Sequence, residues 1–362
     1  MKLLFCTNAF ERIINGPAKF SHLLLKINET TTHEIRILTE DTNFETDKIY
    51  KQILRIPRLL QFAGMFLRMF QYHYKARQIK KSYNFDYLVY NNAIIGIVSA
   101  IFYKKTVGFI NDDNNASVSW RDGFLKFKWN KAHVFFITEW LSCKVFKKII
   151  VNSDYLRTVL KNKYKIPESK IFRLYKSIEL IPEKLNPLNS IPVILFVKND
   201  YERGGLFILI DACNQLNRKI QLIVAGMPES AYSKIKEKCF SKNIDLEIAG
   251  IQPQEKIYEL MRKADIFSVP SFKEALGVAN IEAIALGCSI ITSNTGGIPE
   301  VMENGKCGWL VEPGDIDALT TAILECLNNE KLREAKHQNA LRSIKRFNLH
   351  TMINEFLNIL QR

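Results

Sequence analysis

Residues 265–300 read DIFSVPSFKEALGVANIEAIALGCSIITSNTGGIPE, and this stretch decides the fold. An apolar strand, Asp265–Pro270, runs into a polar loop. The pattern GVANIEAIAL (Gly277–Leu286) then predicts a helix, stopped by Gly287, because glycine sits easily in the left-handed cap. A second apolar strand, Ser289–Ser293, ends in a Gly296–Gly297 turn. Strand, helix and strand in that order make one unit of a parallel sheet. Two carboxylates stand eight residues apart, Glu274 in the loop and Glu282 on the helix. Glu274 lies beside a helix N-terminus, whose free N–H groups and dipole favour an anion such as a phosphate. An ionised carboxylate accepts hydroxyl hydrogens, so carboxylates beside a phosphate site suit a ligand rich in hydroxyls. A nucleotide sugar has both features.

The same alternation continues on either side. Lys2–Asn8, His33–Glu40, Asp86–Asn92, Lys105–Asn111 and Lys148–Ser153 read as strands, with helices at Ala18–Ile27 and Tyr155–Tyr164. The segment 178–192 holds three prolines and little periodicity, which marks a linker. Strands at Val193–Asn199, Gln221–Gly226 and Asp245–Gly250 open a second alternating domain. The expected class is α/β, with two Rossmann-like doubly wound domains facing across a cleft. Their expected bounds are 1–177 and 193–345, followed by a last helical segment at 346–362. In such folds ligands bind beyond the strand C-termini.

Composition narrows the function. The chain has 362 residues, 47% of them hydrophobic, enough for two packed domains. MKLLFCTNAF reads as a first strand rather than a signal peptide, and no apolar run reaches the ~20 residues that span a bilayer. Seven cysteines form no C-x-x-C pair, which fits reduced thiols in a cytosolic protein. The net charge is +14, and it is uneven. Residues 1–190 hold 31 Lys+Arg against 16 Asp+Glu, whereas 191–362 hold 20 against 21. The excess concentrates between Lys48 and Phe85, where Arg58, Arg68, Lys75, Arg77, Lys80 and Lys81 alternate with aromatics and leucines. A second basic, aromatic stretch is Phe124–Phe136. Such surfaces suit an anionic membrane; no nucleic-acid motif is present.

The Glu274…Glu282 spacing followed by GGIPE at Gly296–Glu300 resembles the donor site of the retaining nucleotide-sugar glycosyltransferases of family 4, also called glycosyl transferases group 1, which have the B-type glycosyltransferase fold. The resemblance implies that Glu274 contacts the hydroxyls of the transferred sugar. It implies that the backbone of Leu276 and Gly277 caps the phosphates and that Glu282 holds the ribose diol. The loop around Gly16 would let backbone approach the donor phosphate, and the Gly250–Ile251 turn would lie near the base. The closing helix, His350–Arg362, is expected to cross back onto the first domain.

The chain departs from that family at three positions. Where the family carries an Arg and a Lys after the linker strand, FVKNDYERGG has Asn199 and Gly204. Lys198 and Arg203 are cationic but shifted by one residue. Where the family often has a His before an Asp, GFINDDNN has Asn111, then Asp112. Asn hydrogen-bonds a hydroxyl but is no base. In the front-face mechanism the donor's own phosphate oxygen takes the acceptor's proton. The candidate catalytic residues are therefore Glu274, Arg203, Lys198, Asp112 and Asn111. No metal site or cofactor is expected, because the acidic pairs and histidines lack ligand spacing.

The expected activity is metal-independent, retaining transfer of a hexose or N-acetylhexosamine from a nucleoside-diphosphate sugar to a glycan or lipid-linked glycan. The expected setting is surface polysaccharide or lipopolysaccharide synthesis, on the cytoplasmic face of the cell membrane. The rival readings are a catalytically weak homologue serving as a partner subunit, a nucleotide-sugar epimerase, and a non-enzymatic nucleic-acid binder.

Overall fold

The structure is a computed structural model and describes residues 1–11, 16–52, 64–115 and 131–362. Arg58 and most of the Phe124–Phe136 stretch lie outside those residues. The chain folds as two compact units, Met1–Ser177 with Leu349–Arg362, and Ile178–Asn348.

The first unit is built on a seven-stranded parallel sheet. Its strands are β1 (Lys2–Thr7), β2 (Glu34–Thr39), β3 (Ile49–Lys51), β4 (Tyr87–Tyr90), β5 (Thr106–Ile110), β6 (Lys148–Val151) and β7 (Ile171–Arg173). Their spatial order is β3-β2-β1-β4-β5-β6-β7, so the winding reverses between β1 and β4. Each central strand is buried along nearly its whole length, as a sheet covered on both faces requires. The core on one face joins Phe5, Phe20, Phe109 and Ile150 to Met352, Ile353 and Phe356 of the helix Leu349–Gln361. Phe356 meets Phe20 at 6.3 Å and Phe109 at 6.2 Å between ring centroids. The Lys148 ammonium donates to the carbonyls of Ile359 (2.9 Å) and Leu360 (2.8 Å), closing that helix's negative end. The C-terminal helix is therefore part of the first unit's core.

The apolar run 93–103 is not one continuous helix: it is a 3-10 turn (Ala93–Gly96) leading into a short helix (Ile97–Phe102). The Asn92 side chain accepts from the Ile94 N–H and starts the turn, while Ile101 and Phe102 end up exposed.

The second unit has six parallel strands: β8 (Val193–Val197), β9 (Ile220–Ala225), β10 (Ile244–Gly250), β11 (Ile266–Val269), β12 (Ser289–Ser293) and β13 (Trp309–Val311). Their order, β10-β9-β8-β11-β12-β13, reverses between β8 and β11. Both units are therefore doubly wound α/β sheets, and each has a switch point where such sheets hold ligands. No helix among the described residues is long and apolar enough to cross a membrane.

Candidate functional site

At the second unit's switch point, the loops that leave β8 and β11 enclose a cavity of about 90 Å³. Lys198 comes from the first loop, and Ser271 and Glu274 from the second. The Lys198 ammonium donates to Glu274 Oε2 at 2.6 Å and to Ser271 Oγ at 3.1 Å. The other carboxylate oxygen accepts from the Ala275 N–H at 3.1 Å. Ammonium and carboxylate keep 20% and 27% of their side-chain surface exposed, so the pair is held by the protein yet open to a ligand.

The helix Val278–Ala285 opens on this cavity. Gly277 caps it in the left-handed conformation (φ 86°), and the N–H groups of Leu276 and Gly277 make no hydrogen bond within the described residues. Asn280, two residues into the helix and 3% exposed, also lines the cavity, and its Oδ1 is buried with no partner. A buried polar atom left unpaired costs roughly 1–3 kcal/mol, a cost that a ligand hydroxyl would remove. The GGIPE turn closes over this loop. A Cβ at Gly296 would stand 1.7 Å from the Glu274 carbonyl oxygen, and one at Gly297 would stand 2.2 Å from that of Ala275. Only glycines let the two backbones approach so closely.

The structure also shows how the glycine at 204 and the shifted cations Lys198 and Arg203 are accommodated. Gly204 presents no side chain, and Lys198 runs its aliphatic stem across the vacant position. A Cβ on Gly204 would lie 2.8 Å from Lys198 Cδ. Lys198 thus fills space that a side chain at 204 would need. Arg203 is anchored through its backbone, with its N–H on Asp200 Oδ1 (3.2 Å) and its carbonyl accepting from the Phe272 N–H (2.9 Å). Its guanidinium makes no ion pair among the described residues.

The other candidates are placed as follows. Glu282 is not a solvated helix-face residue: it is 6% exposed and accepts from the Tyr258 hydroxyl at 3.0 Å. Burial, and after it the Glu282 carboxylate, raise the Tyr258 phenol pKa well above its usual value. Glu282 is not among the residues that line the Lys198–Glu274 cavity. Gly250 ends β10 with φ 68°, and its carbonyl accepts from the Gly226 N–H at 2.6 Å. A Cβ on Gly226 would in turn touch the backbone of Lys198, so the ends of β8, β9 and β10 meet there. Ile251 is 68% exposed. Gly16, Asn111 and Asp112 belong to the first unit. Gly16 is the first residue of the helix Gly16–Leu25, and Asn111 and Asp112 follow β5 and share a separate cavity with Glu139.

Sequence reasoning missed Asn280, Ser271 and Tyr258. Asn280 carries a signal in hindsight, as an amide inside the otherwise apolar run GVANIEAIAL.

Residues 177–343 match the family model described as "Glycosyl transferases group 1". An uncharacterized glycosyltransferase of Methanocaldococcus jannaschii, MJ1178, is 26% identical over 318 residues, covering 87% of this chain and 86% of that protein. The amylovoran biosynthesis glycosyltransferase AmsK of Erwinia amylovora is 31% identical over 180 residues, covering 45% and 44%. Among solved structures, Anabaena HepE in complex with UDP-glucose superposes with a TM-score of 0.75 at 18% identity, covering 100% and 99%. That likeness shows the fold, the two-domain B-type glycosyltransferase fold. Residues 177–343, nearly all of the second unit, are thus similar to the glycosyl transferases group 1 family.

Proposed function

We propose that the protein is a retaining, metal-independent glycosyltransferase that moves a hexose or N-acetylhexosamine from a nucleoside-diphosphate sugar to a hydroxyl of a glycan or lipid-linked glycan. The observation that carries this reading is the single cavity holding Lys198, Glu274, the Gly277 cap and the unpartnered Asn280 amide. Breaking the bond between the anomeric carbon and the diphosphate puts negative charge on the leaving oxygen. Lys198, Arg203 and the free N–H groups of Leu276 and Gly277 supply positive potential for it. Glu274 and Asn280 supply acceptors for sugar hydroxyls, and Glu282 keeps its proposed place at the ribose, held by Tyr258. UDP-glucose in HepE makes a nucleoside-diphosphate glucose a sensible first donor, and AmsK points to surface polysaccharide synthesis.

Glu274→Gln tests this reading. Transfer, or donor hydrolysis without acceptor, should fall by at least ~10-fold while affinity for the nucleoside diphosphate stays nearly constant, because the lost contact is with the reacting sugar. Equal turnover of variant and parent would remove Glu274 from the chemistry.

An anionic membrane surface belongs to the same proposal. On the helix Gly64–Ser82, Phe66, Phe70 and Tyr74 repeat every four residues and are exposed, with Lys75, Arg77, Lys80 and Lys81 on the same helix. The helix Ile97–Phe102 packs beside it and exposes Ile101 and Phe102. The helix Lys131–Val145 follows, with Phe135, Trp140 and Leu141 outward. Aromatics beside cations suit the boundary between head groups and acyl chains on the inner membrane face. The full chain should sediment with vesicles of anionic lipid and be partly released by high salt, which screens exposed charge over ~8–10 Å. Replacing Phe66, Phe70 and Tyr74 together with Ser should release most of it. Undiminished sedimentation of that variant would defeat this surface.

A further inference from the structure

The first unit carries a cavity of its own, about 360 Å³, at its switch point. Asn8 follows β1, Asn92 follows β4, and Asn111 and Asp112 follow β5, while Asn115 and Glu139 close the side. The amides of Asn92, Asn111 and Asn115 are each fixed at one end and leave the other to the cavity. Asn111 donates to the Asn91 carbonyl at 2.7 Å, which leaves its Oδ1 without a partner among the described residues. Asn92 Oδ1 accepts from the Ile94 N–H at 3.0 Å, leaving its amide hydrogens. Asn115 donates to Glu139 at 2.7 Å, leaving its Oδ1. Fixed donors and acceptors without net charge match sugar hydroxyls, which both give and take a hydrogen.

The charge is the second observation. This half of the chain holds 31 Lys+Arg against 16 Asp+Glu, yet no Lys or Arg is among the described residues lining the cavity. The ionisable groups there are carboxylic acids, Asp112 and Glu139. A uronic acid or sugar phosphate entering it would lose water, meet no cation among the described lining residues and face two acids, which opposes binding.

We infer that this cavity selects a neutral, hydroxyl-rich sugar and rejects carboxylated and phosphorylated ones. Taken with the transfer reading, on which this clause alone rests, that sugar is the terminal residue of the acceptor.

Saturation-transfer NMR on the full chain at neutral pH tests the inference. The probes are the methyl glycosides of glucose, galactose and mannose, the methyl glycosides of the corresponding uronic acids, and glucose 6-phosphate. At least one neutral glycoside should bind with a dissociation constant on the order of millimolar, and the anionic probes should bind at least ~10-fold more weakly. Asn8→Lys, which alters an exposed side chain at the cavity's edge, should narrow or reverse that preference with the melting temperature unchanged. Asn111→Leu should lose the neutral sugar. Binding of no neutral sugar, an anionic sugar bound as tightly as its neutral partner, or a preference that neither variant moves would each overturn the inference. Donor hydrolysis is scored separately. A chain that selects neutral sugars but never cleaves a nucleotide sugar keeps this inference and sinks the transfer reading.

Discussion

Lys198→Ala should lower glycosyl transfer by about 100-fold, the cost typical of removing one preorganised group at a developing negative charge. Two roles end together in that variant. The Lys198 ammonium is the cation at the cavity, and it is also the partner that orients Glu274 at 2.6 Å. Removing it leaves a part-buried carboxylate facing a diphosphate with nothing between them. Arg203 does not replace it, because no contact ties its guanidinium to Glu274 or Ser271. Arg203→Ala should therefore cost less than Lys198→Ala. The relation to Gly204 sharpens the test. Gly204→Ala puts a methyl group 2.8 Å from Lys198 Cδ, so it should displace the ammonium and impair transfer although it removes no charge. In Lys198→Ala with Gly204→Lys the obstructing stem is gone, and a lysine from position 204 should recover part of the lost rate. The recovery stays partial because Phe196 Cζ also lies 2.8 Å from the new Cβ. Steady-state kinetics on the four variants decides. Lys198→Ala with parental turnover, or a double variant no better than Lys198→Ala, contradicts the replacement of one lysine by the other.

Most of the fold was legible because its central strands are apolar runs buried on both faces. Val193–Val197 and Ser289–Ser293 announce themselves as strands without any period. The edge strands β3, β7 and β13 were not legible. Each is three residues long, too short to show a pattern, and exists because a neighbour pairs with it. At the site, the loop carboxylate and the two-glycine turn could be read, since each is a local requirement of charge or backbone, whereas the left-handed cap read from the sequence was Gly287 at the helix's far end rather than Gly277. The course of Lys198 across Gly204 could not, because it depends on β8 and the following loop folding together. Glu282 was legible as a helix carboxylate with a proposed place at the ribose, but its burial was not. The Tyr258 hydroxyl that holds it arrives from another helix, Gln254–Lys263.

Glu139 is the other group whose removal should change the molecule most. It sits on the helix Lys131–Val145, 6% exposed, accepting from Asn115 at 2.7 Å and from the Tyr164 hydroxyl at 2.6 Å. Burial raises its carboxyl from 4.5 to about 7; the two hydrogen bonds lower it, and Asp112 and Asp113 raise it further, so desolvation wins. The folded state then holds a proton that the unfolded chain has released. Between about pH 4.5 and pH 7 the folded protein binds more protons, so its stability falls as the pH rises through that window. The stability from this site is fully present below the unfolded value and lost above the folded one. The size is on the order of 3–4 kcal/mol, since the rise from 4.5 to about 7 is worth about 1.4 kcal/mol per pH unit. Glu139→Gln keeps the shape and cannot ionise. It should flatten the stability profile across the window and stabilise the protein at pH 8 by the same amount, about 3–4 kcal/mol. Urea unfolding of parent and variant at pH 5, 6, 7 and 8 measures both effects. Parallel profiles would mean that Glu139 stays ionised in the fold, its two hydrogen bonds outweighing its burial.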